Sequence, residues 1–213
     1  MRASSVAVFI LKARRKPRRH DMRPKFYLDI VICPGDAGAN WVRSRIMQKL
    51  HGFFGHNKEN GECKYAIAFP SGGTNPNGNK VLRVFASTHE DVRELEECLR
   101  QIPICRDYAA VTAPLEVPDG FSGTWTRYRK YKIPTAHSDR HASGGHSELR
   151  NRRINDAAGC EYFILRSATS GSIFTLHVKV ENNSEPPTDC LPDCYGLSVS
   201  SRPFALPDLK WTH

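Results

Sequence analysis

The chain has 213 residues, enough for one large domain or two small ones, and its apolar and charged fractions are those of an ordinary globular protein. It carries 31 Lys+Arg against 22 Asp+Glu, a formal charge of +9, and a balance of this kind attracts polyanions, nucleic acid first among them. No apolar run reaches the roughly 20 residues of a membrane-spanning helix, so no membrane partner is expected.

Residues 1–23 place a short apolar run, 6–11, ahead of Lys12, Arg14, Arg15, Lys16, Arg18 and Arg19. A signal peptide has the reverse order and a small-residue cleavage site. The stretch therefore reads as a basic, flexible extension, with the compact protein starting near Met22. A basic arm that touches nucleic acid is the other reading. Residues 25–33 (KFYLDIVIC) are rich in β-branched and aromatic side chains and suit a central strand, ended by Pro34-Gly35-Asp36. Residues 39–54 read as a helix with Val42, Ile46, Leu50 and Phe53 in an apolar stripe, closed by Gly55. Strands are expected over 64–69 and 80–86, joined by the turn-rich loop 70–79. Ser87 or Thr88 caps a second helix that runs through Val92, Leu95, Leu99 and Ile102, and residues 108–117 form the next strand.

This order, β-α-β-β-α-β, is the ferredoxin-like pattern, which is also the frame of many RNA-binding modules. The expected class is α+β: a ferredoxin-like (RRM-like) domain over 24–117 and a smaller β-rich domain over 118–213 with a basic, arginine-rich segment. In that segment residues 126–132 (TRYRKYK) interleave four cations with two tyrosines, and strand alternation puts Arg127, Arg129 and Tyr131 on one face. Residues 137–153 carry His137, Arg140, His141, His146, Arg150, Arg152 and Arg153; Gly144-Gly145 interrupts any helix, leaving a short one over 147–156 with Arg150 and Arg153 on one face. Strands over 161–165, 173–180 and 194–199 complete the chain, with a polar loop over 181–193. The Ser/Thr/Gly run 167–172, preceded by Arg166, lies between the first two of these and presents hydroxyls and backbone N–H groups that suit a phosphate.

Seven cysteines, Cys33, Cys63, Cys98, Cys105, Cys160, Cys190 and Cys194, are odd in number and scattered. No C-x-x-C occurs, and the close pair Cys190 and Cys194 has no second pair to complete a zinc set. They read as reduced thiols of a cytoplasmic protein, and no metal or cofactor is expected.

RNA can be cut without a metal. The ribose 2′-hydroxyl is the nucleophile; it needs a base for its proton and contacts that hold it in line with the phosphate. A histidine, with an ordinary pKa of about 6.5, is the natural base. His51 is the best placed, near the end of the first helix between Met47 and Phe54 at the edge of the apolar stripe. Position alone better suits a core-edge histidine with a hydrogen bond and no chemistry. The other histidines fall in loops or basic segments and read as phosphate contacts or solvated residues.

Four pieces then occur in an order that resembles the CRISPR-associated repeat-processing endoribonucleases of the type I-F kind. They are residues 26–30 (FYLDI), Lys49-Leu50-His51, Ile67-Ala68-Phe69-Pro70, and Leu165-Arg166-Ser167 through Gly171 to Phe174 with Cys194-Tyr195-Gly196-Leu197-Ser198. The resemblance spans about residues 24–205. It implies that His51 is the general base, that Ser167 holds the ribose before the cut, and that Tyr195 orients His51. Phe174 would stack on a base at the foot of an RNA hairpin. The product would be a 2′,3′-cyclic phosphate and a 5′-hydroxyl end. Arg129 and Tyr131 are placed like the family's base readers; Arg140, Arg150, Arg152 and Arg153 would meet phosphates, with Arg127, Arg166 and Thr169 as further RNA contacts. The implied partners are the CRISPR repeat hairpin, as precursor and as mature RNA, and the other subunits of a surveillance complex. Three departures stand out. The arginine-rich helix is shorter and interrupted, Thr169 replaces a frequent serine, and Tyr131 stands where an amide side chain would read adenine. A non-cleaving hairpin-binding subunit of the same fold is the alternative. A ribosome-like or regulatory protein would explain the charge but not the paired C-terminal motifs.

Overall fold

The computed structural model describes residues 22–59, 61–70, 80–134, 146–187 and 190–209. In chain order the elements are β1 (Phe26–Ile32), α1 (Ala39–His56), β2 (Lys58–Glu59), β3 (Glu62–Cys63), β4 (Ala66–Ala68), β5 (Val81–Ala86), α2 (His89–Gln101), α3 (Pro103–Tyr108), β6 (Ala109–Val111), β7 (Leu115–Glu116), β8 (Trp125–Tyr131), α4 (His146–Ala157), β9 (Glu161–Arg166), β10 (Ile173–Ser184) and β11 (Leu206–Pro207). The class is α+β.

The first sheet has the order β4-β5-β1-β6, all antiparallel, with β7 also beside β1. All six residues of β5 are buried, so both of its faces are covered. Asp29 and Arg83 sit opposite each other across β1 and β5, where opposite charges are favoured. The carboxylate takes two guanidinium bonds, 2.7 Å from Nε and 2.8 Å from Nη2, and Arg83 Nη1 donates to the carbonyl of Leu209 at 2.6 Å. This buried pair thereby ties the first sheet to the end of the described chain.

The helices follow their sequence signals. In α1, Val42, Ile46, Met47, Leu50 and Phe54 are buried. The helix passes through Gly55 and ends at His56, one turn-half beyond the expected stop. In α2, Thr88 is the cap: its hydroxyl accepts from Asp91 N–H at 3.1 Å and donates to the Asp91 carboxylate at 2.6 Å. The strand expected over 108–117 is broken. Pro103, at the start of a turn it pre-organises, nucleates the short α3, and only residues 109–111 and 115–116 pair with β1. The strand expected over 64–69 is shortened to β4.

The second sheet has the order β11-β8-β10-β9, again antiparallel. The stretch 194–199, expected as a strand, is a turn followed by isolated bridges, Arg129 to Ser198 and Val199 to Arg202. The supposed loop after residue 180 begins as strand, since β10 reaches Ser184. Helix α4 falls within a residue of its expected span. Leu28, Ile30 and Val84 of the first sheet share one buried cluster with Phe163, Leu176 and Val178 of the second. Met22 is fully buried and its N–H donates to Cys190 O. Residues 1–21, the loop 71–79 and the segment 135–145, with Arg140, His137 and His141, lie outside the described residues.

One row of α1 side chains meets the outer edge of β9. Asn40 Nδ2 donates to Tyr162 OH at 3.1 Å, Ser44 Oγ accepts from Ile164 N–H at 2.9 Å, and Gln48 Oε1 accepts from Arg166 N–H at 2.8 Å. Helical spacing of four residues runs alongside strand spacing of two. Behind the row, Arg43 and Glu161 form a buried ion pair at 2.7 Å.

Candidate active site

His51 continues that row of α1, one turn past Gln48. Its Nδ1 lies 2.9 Å from the carbonyl oxygen of Cys194. A carbonyl only accepts, so Nδ1 is the donor and carries a proton, and Nε2 is the ring nitrogen not engaged in that bond. The ring stacks on Tyr195 with centroids 4.0 Å apart and planes 10° apart. Lys130 Nζ lies 4.4 Å from the centroid of the same tyrosine. Burial, with Cys194 and Asp193 close by, raises the Tyr195 phenol above its ordinary pKa, so its O–H is a donor at neutral pH.

The turn carrying Cys194 and Tyr195 is built by Asp193. Its Oδ1 accepts the N–H groups of Tyr195 and Leu197 at 2.9 and 3.0 Å, and its Oδ2 is 3.6 Å from Lys130 Nζ. Gly196 closes the turn with φ +76°. Its N–H donates to Asp193 O, and its carbonyl accepts from Ile67 N–H at 2.9 Å, which pins the turn on β4. A Cβ at Gly196 would stand 3.0 Å from Phe54 and 3.1 Å from Ile67 N. Gly196→Ala is therefore expected to lower stability by roughly 1–3 kcal/mol, since both the left-handed backbone and the close approach are lost. A thermal melt checks it, and an unchanged midpoint contradicts it.

Ser167 begins the β9–β10 connection. Its N–H donates to Ser172 O and its carbonyl accepts from Gly171 N–H, both at 2.9 Å. Its hydroxyl accepts from Ser170 N–H at 3.2 Å, which leaves the O–H hydrogen to donate. Arg166 Nε holds the loop closed on Gly171 O at 2.9 Å, and Gly171 has φ +70°. Because Gln48 binds Arg166 N–H, the Ser167 loop is tied to the end of α1 that carries His51. Thr169 is exposed on the loop, and Phe174 is half-buried against the shared core.

The expected arginines form a second group. Arg129 donates to Glu181 Oε1 through Nε and Nη2 at 3.0 and 2.7 Å, and Arg127 pairs with the same carboxylate at 3.4 Å. Tyr131 donates to Asp156 at 3.2 Å and lies under Arg153, 5.6 Å from ring centroid to guanidinium. Arg153 and Arg150 also donate to the carbonyls of Lys132 and Pro134, at 2.8 and 3.2 Å. They staple α4 over the end of β8; Arg152 is exposed. Alternation puts Arg127, Arg129 and Tyr131 on the face of β8 opposite to Thr126, Tyr128 and Lys130. The two groups thus flank β8 from its two sides.

Lys130, Asp193 and Gln48 were not singled out by sequence. Asp193 had a signal, since Asp followed by Gly three residues on marks a turn. Lys130 and Gln48 had none beyond their place on a strand face and a helix row. Among the described residues no group of three His, Cys, Asp or Glu side chains is placed to hold a metal, and no helix is long and apolar enough to cross a membrane. None of the seven cysteines is in a disulfide; burial pushes the Cys63 thiol up to about 12 and the Cys105 thiol up to about 11.

A family model described as CRISPR-associated protein (Cas_Csy4) matches residues 27–207. No curated protein matches the chain.

Proposed function

The chain belongs to the CRISPR-associated (Cas_Csy4) family of repeat-processing proteins, and from that premise we propose that it is a sequence-specific endoribonuclease that cuts precursor CRISPR RNA at the foot of its repeat hairpin. The observation that carries the reading is the oriented His51: its Nδ1 is committed to Cys194 O, its ring is clamped on Tyr195, and Nε2 is left to act.

In this mechanism Nε2 takes the proton of the 2′-hydroxyl of the nucleotide before the cut. O2′ bonds to phosphorus, the bond from phosphorus to the 5′-oxygen breaks, and that oxygen leaves and takes up a proton. The products are a 2′,3′-cyclic phosphate and a 5′-hydroxyl end. Ser167 donates its hydroxyl hydrogen to the ribose, and Arg166 and Thr169 face the phosphate. Phe174 stacks under the hairpin. Arg127, Arg129 and Tyr131 meet the stem, and Arg150, Arg152 and Arg153 its phosphates. Because these residues and His51 flank β8 from opposite sides, the cut strand passes the end of β8 to reach the base.

The order β4-β5-β1-β6 with two helices supports a ferredoxin-like unit over residues 24–117 that holds His51, with 118–213 as the hairpin-binding part. After cutting, the protein stays on its product within a surveillance complex. The wild-type protein is expected to cut its own repeat RNA at an undiminished rate in EDTA, measured by gel electrophoresis of labelled RNA. Tight binding with no cutting of any repeat would establish the alternative, a hairpin-binding subunit.

A further inference from the structure

Between α1 and β9 runs a groove of about 370 Å³. Trp41 and Arg45 line it from the helix, and Tyr162, Ile164 and Arg166 from the strand, with Ile173 closing the end beside the Ser167 loop. It is unusually open for apolar surface: Trp41 is 50 % exposed, Ile164 55 % and Ile173 75 %. The Arg45 guanidinium sits 5.5 Å from the Trp41 ring centroid. None of the described residues lining the groove is acidic, and α1 has no acidic residue along its whole length.

Its place in the sheet says what it faces. The register aligns Tyr131, His177 and Tyr162 across β8, β10 and β9, and then Ile173 with Arg166. Side chains in register share a face. The groove therefore continues the sheet face that carries Arg127, Arg129 and Tyr131, and it ends where Arg166 adjoins Ser167.

We infer that this groove binds the unpaired RNA immediately 3′ of the cut, stacking a base on Trp41 and holding its phosphates on Arg45 and Arg166. The inference rests on the proposed cleavage reaction. Single-stranded RNA is held by aromatic platforms set among cations, without need of a base code. Of the two strands at the foot of the hairpin, the one being cut is the one that passes Ser167, and beyond the scissile phosphate it is the 3′ flank that reaches Arg166. Two cations with no carboxylate against them among the described residues favour this polyanion over an apolar segment of protein, which would offer their charges no counter-charge.

The test uses repeat hairpins with a 2′-deoxy nucleotide before the cut, so that binding is read without cleavage. One RNA ends at the cut, one carries four further 3′ nucleotides, and one carries four extra 5′ nucleotides. The wild type should bind the 3′-extended RNA at least about fivefold tighter than the RNA that ends at the cut, a typical stacking gain, and the 5′ extension should add nothing comparable. Trp41→Ala and, separately, Arg45→Gln should remove most of that gain while leaving the affinity for the short RNA unchanged. Arg45→Gln guards against a folding defect, because Trp41 also touches Tyr108 of α3 edge-on. A wild type indifferent to the 3′ flank, or variants that keep the full gain, overturns the inference and leaves the groove to a protein partner, while the cleavage reading stands. No binding to any hairpin overturns both.

Discussion

His51→Ala is expected to slow cutting of the repeat by roughly 10²–10⁴-fold, the range for loss of a general base. Affinity for the hairpin should stay within about twofold, because the stem is met by other residues and the lost group acts on a proton in the transition state. The variant leaves Cys194 O without its donor and Tyr195 without its stacking partner. Single-turnover cleavage and filter binding with the same RNA separate the two effects. Equal losses in rate and affinity would mean that His51 shapes the hairpin site and does not take the proton. A rate close to wild type would place the base elsewhere.

Asp29→Ala is expected to lower the unfolding free energy by about 3–5 kcal/mol, because it leaves the Arg83 charge buried and uncompensated. Asp29 and Arg83 are each about 2 % exposed, so water cannot substitute for the lost carboxylate. Arg83 would keep its bond to Leu209 O and its place 4.6 Å from the Tyr27 ring, neither of which carries a full negative charge. Replacing both partners, as Asp29→Leu with Arg83→Met, should restore much of the loss, since a buried pair contributes little net stability over a well-packed apolar pair. Urea unfolding of the three proteins checks it. A loss under about 1 kcal/mol for the single variant would mean that Arg83 reaches solvent on losing its partner.

Long periodic segments could be read from sequence, and segments set by a single contact could not. The apolar stripe of α1, the Thr88 cap of α2 and the alternating β9 and β10 carry their own local signals. Tyr108 was expected in a strand because small and β-branched apolar residues follow it, yet Pro103 one turn upstream starts α3 and delays the strand to Ala109. Tyr195, Leu197 and Val199 alternate like a strand, but the Asp193 carboxylate bonds two N–H groups of that stretch and bends it. The candidate site was half legible. His51, Ser167 and Tyr195 were named from motifs. What orients His51 is a main-chain carbonyl, and a main-chain atom has no residue type to betray it. The arginines of β8 were visible as charge, but their pairing with Glu181, 52 and 54 residues away, follows from strand register alone.

The row Asn40, Ser44 and Gln48 has an effect that reaches beyond the site. Among the described residues β9 is the last strand of its sheet, and a last strand exposes unbonded N–H groups that invite another chain to add on. Here the outward N–H groups of Ile164 and Arg166 are already taken by Ser44 and Gln48. A second copy could not extend the sheet there without first breaking those bonds. The same side chains that fix the Ser167 loop beside α1 therefore protect the protein against self-association by strand addition, along an edge whose exposed Ile164 would otherwise encourage it.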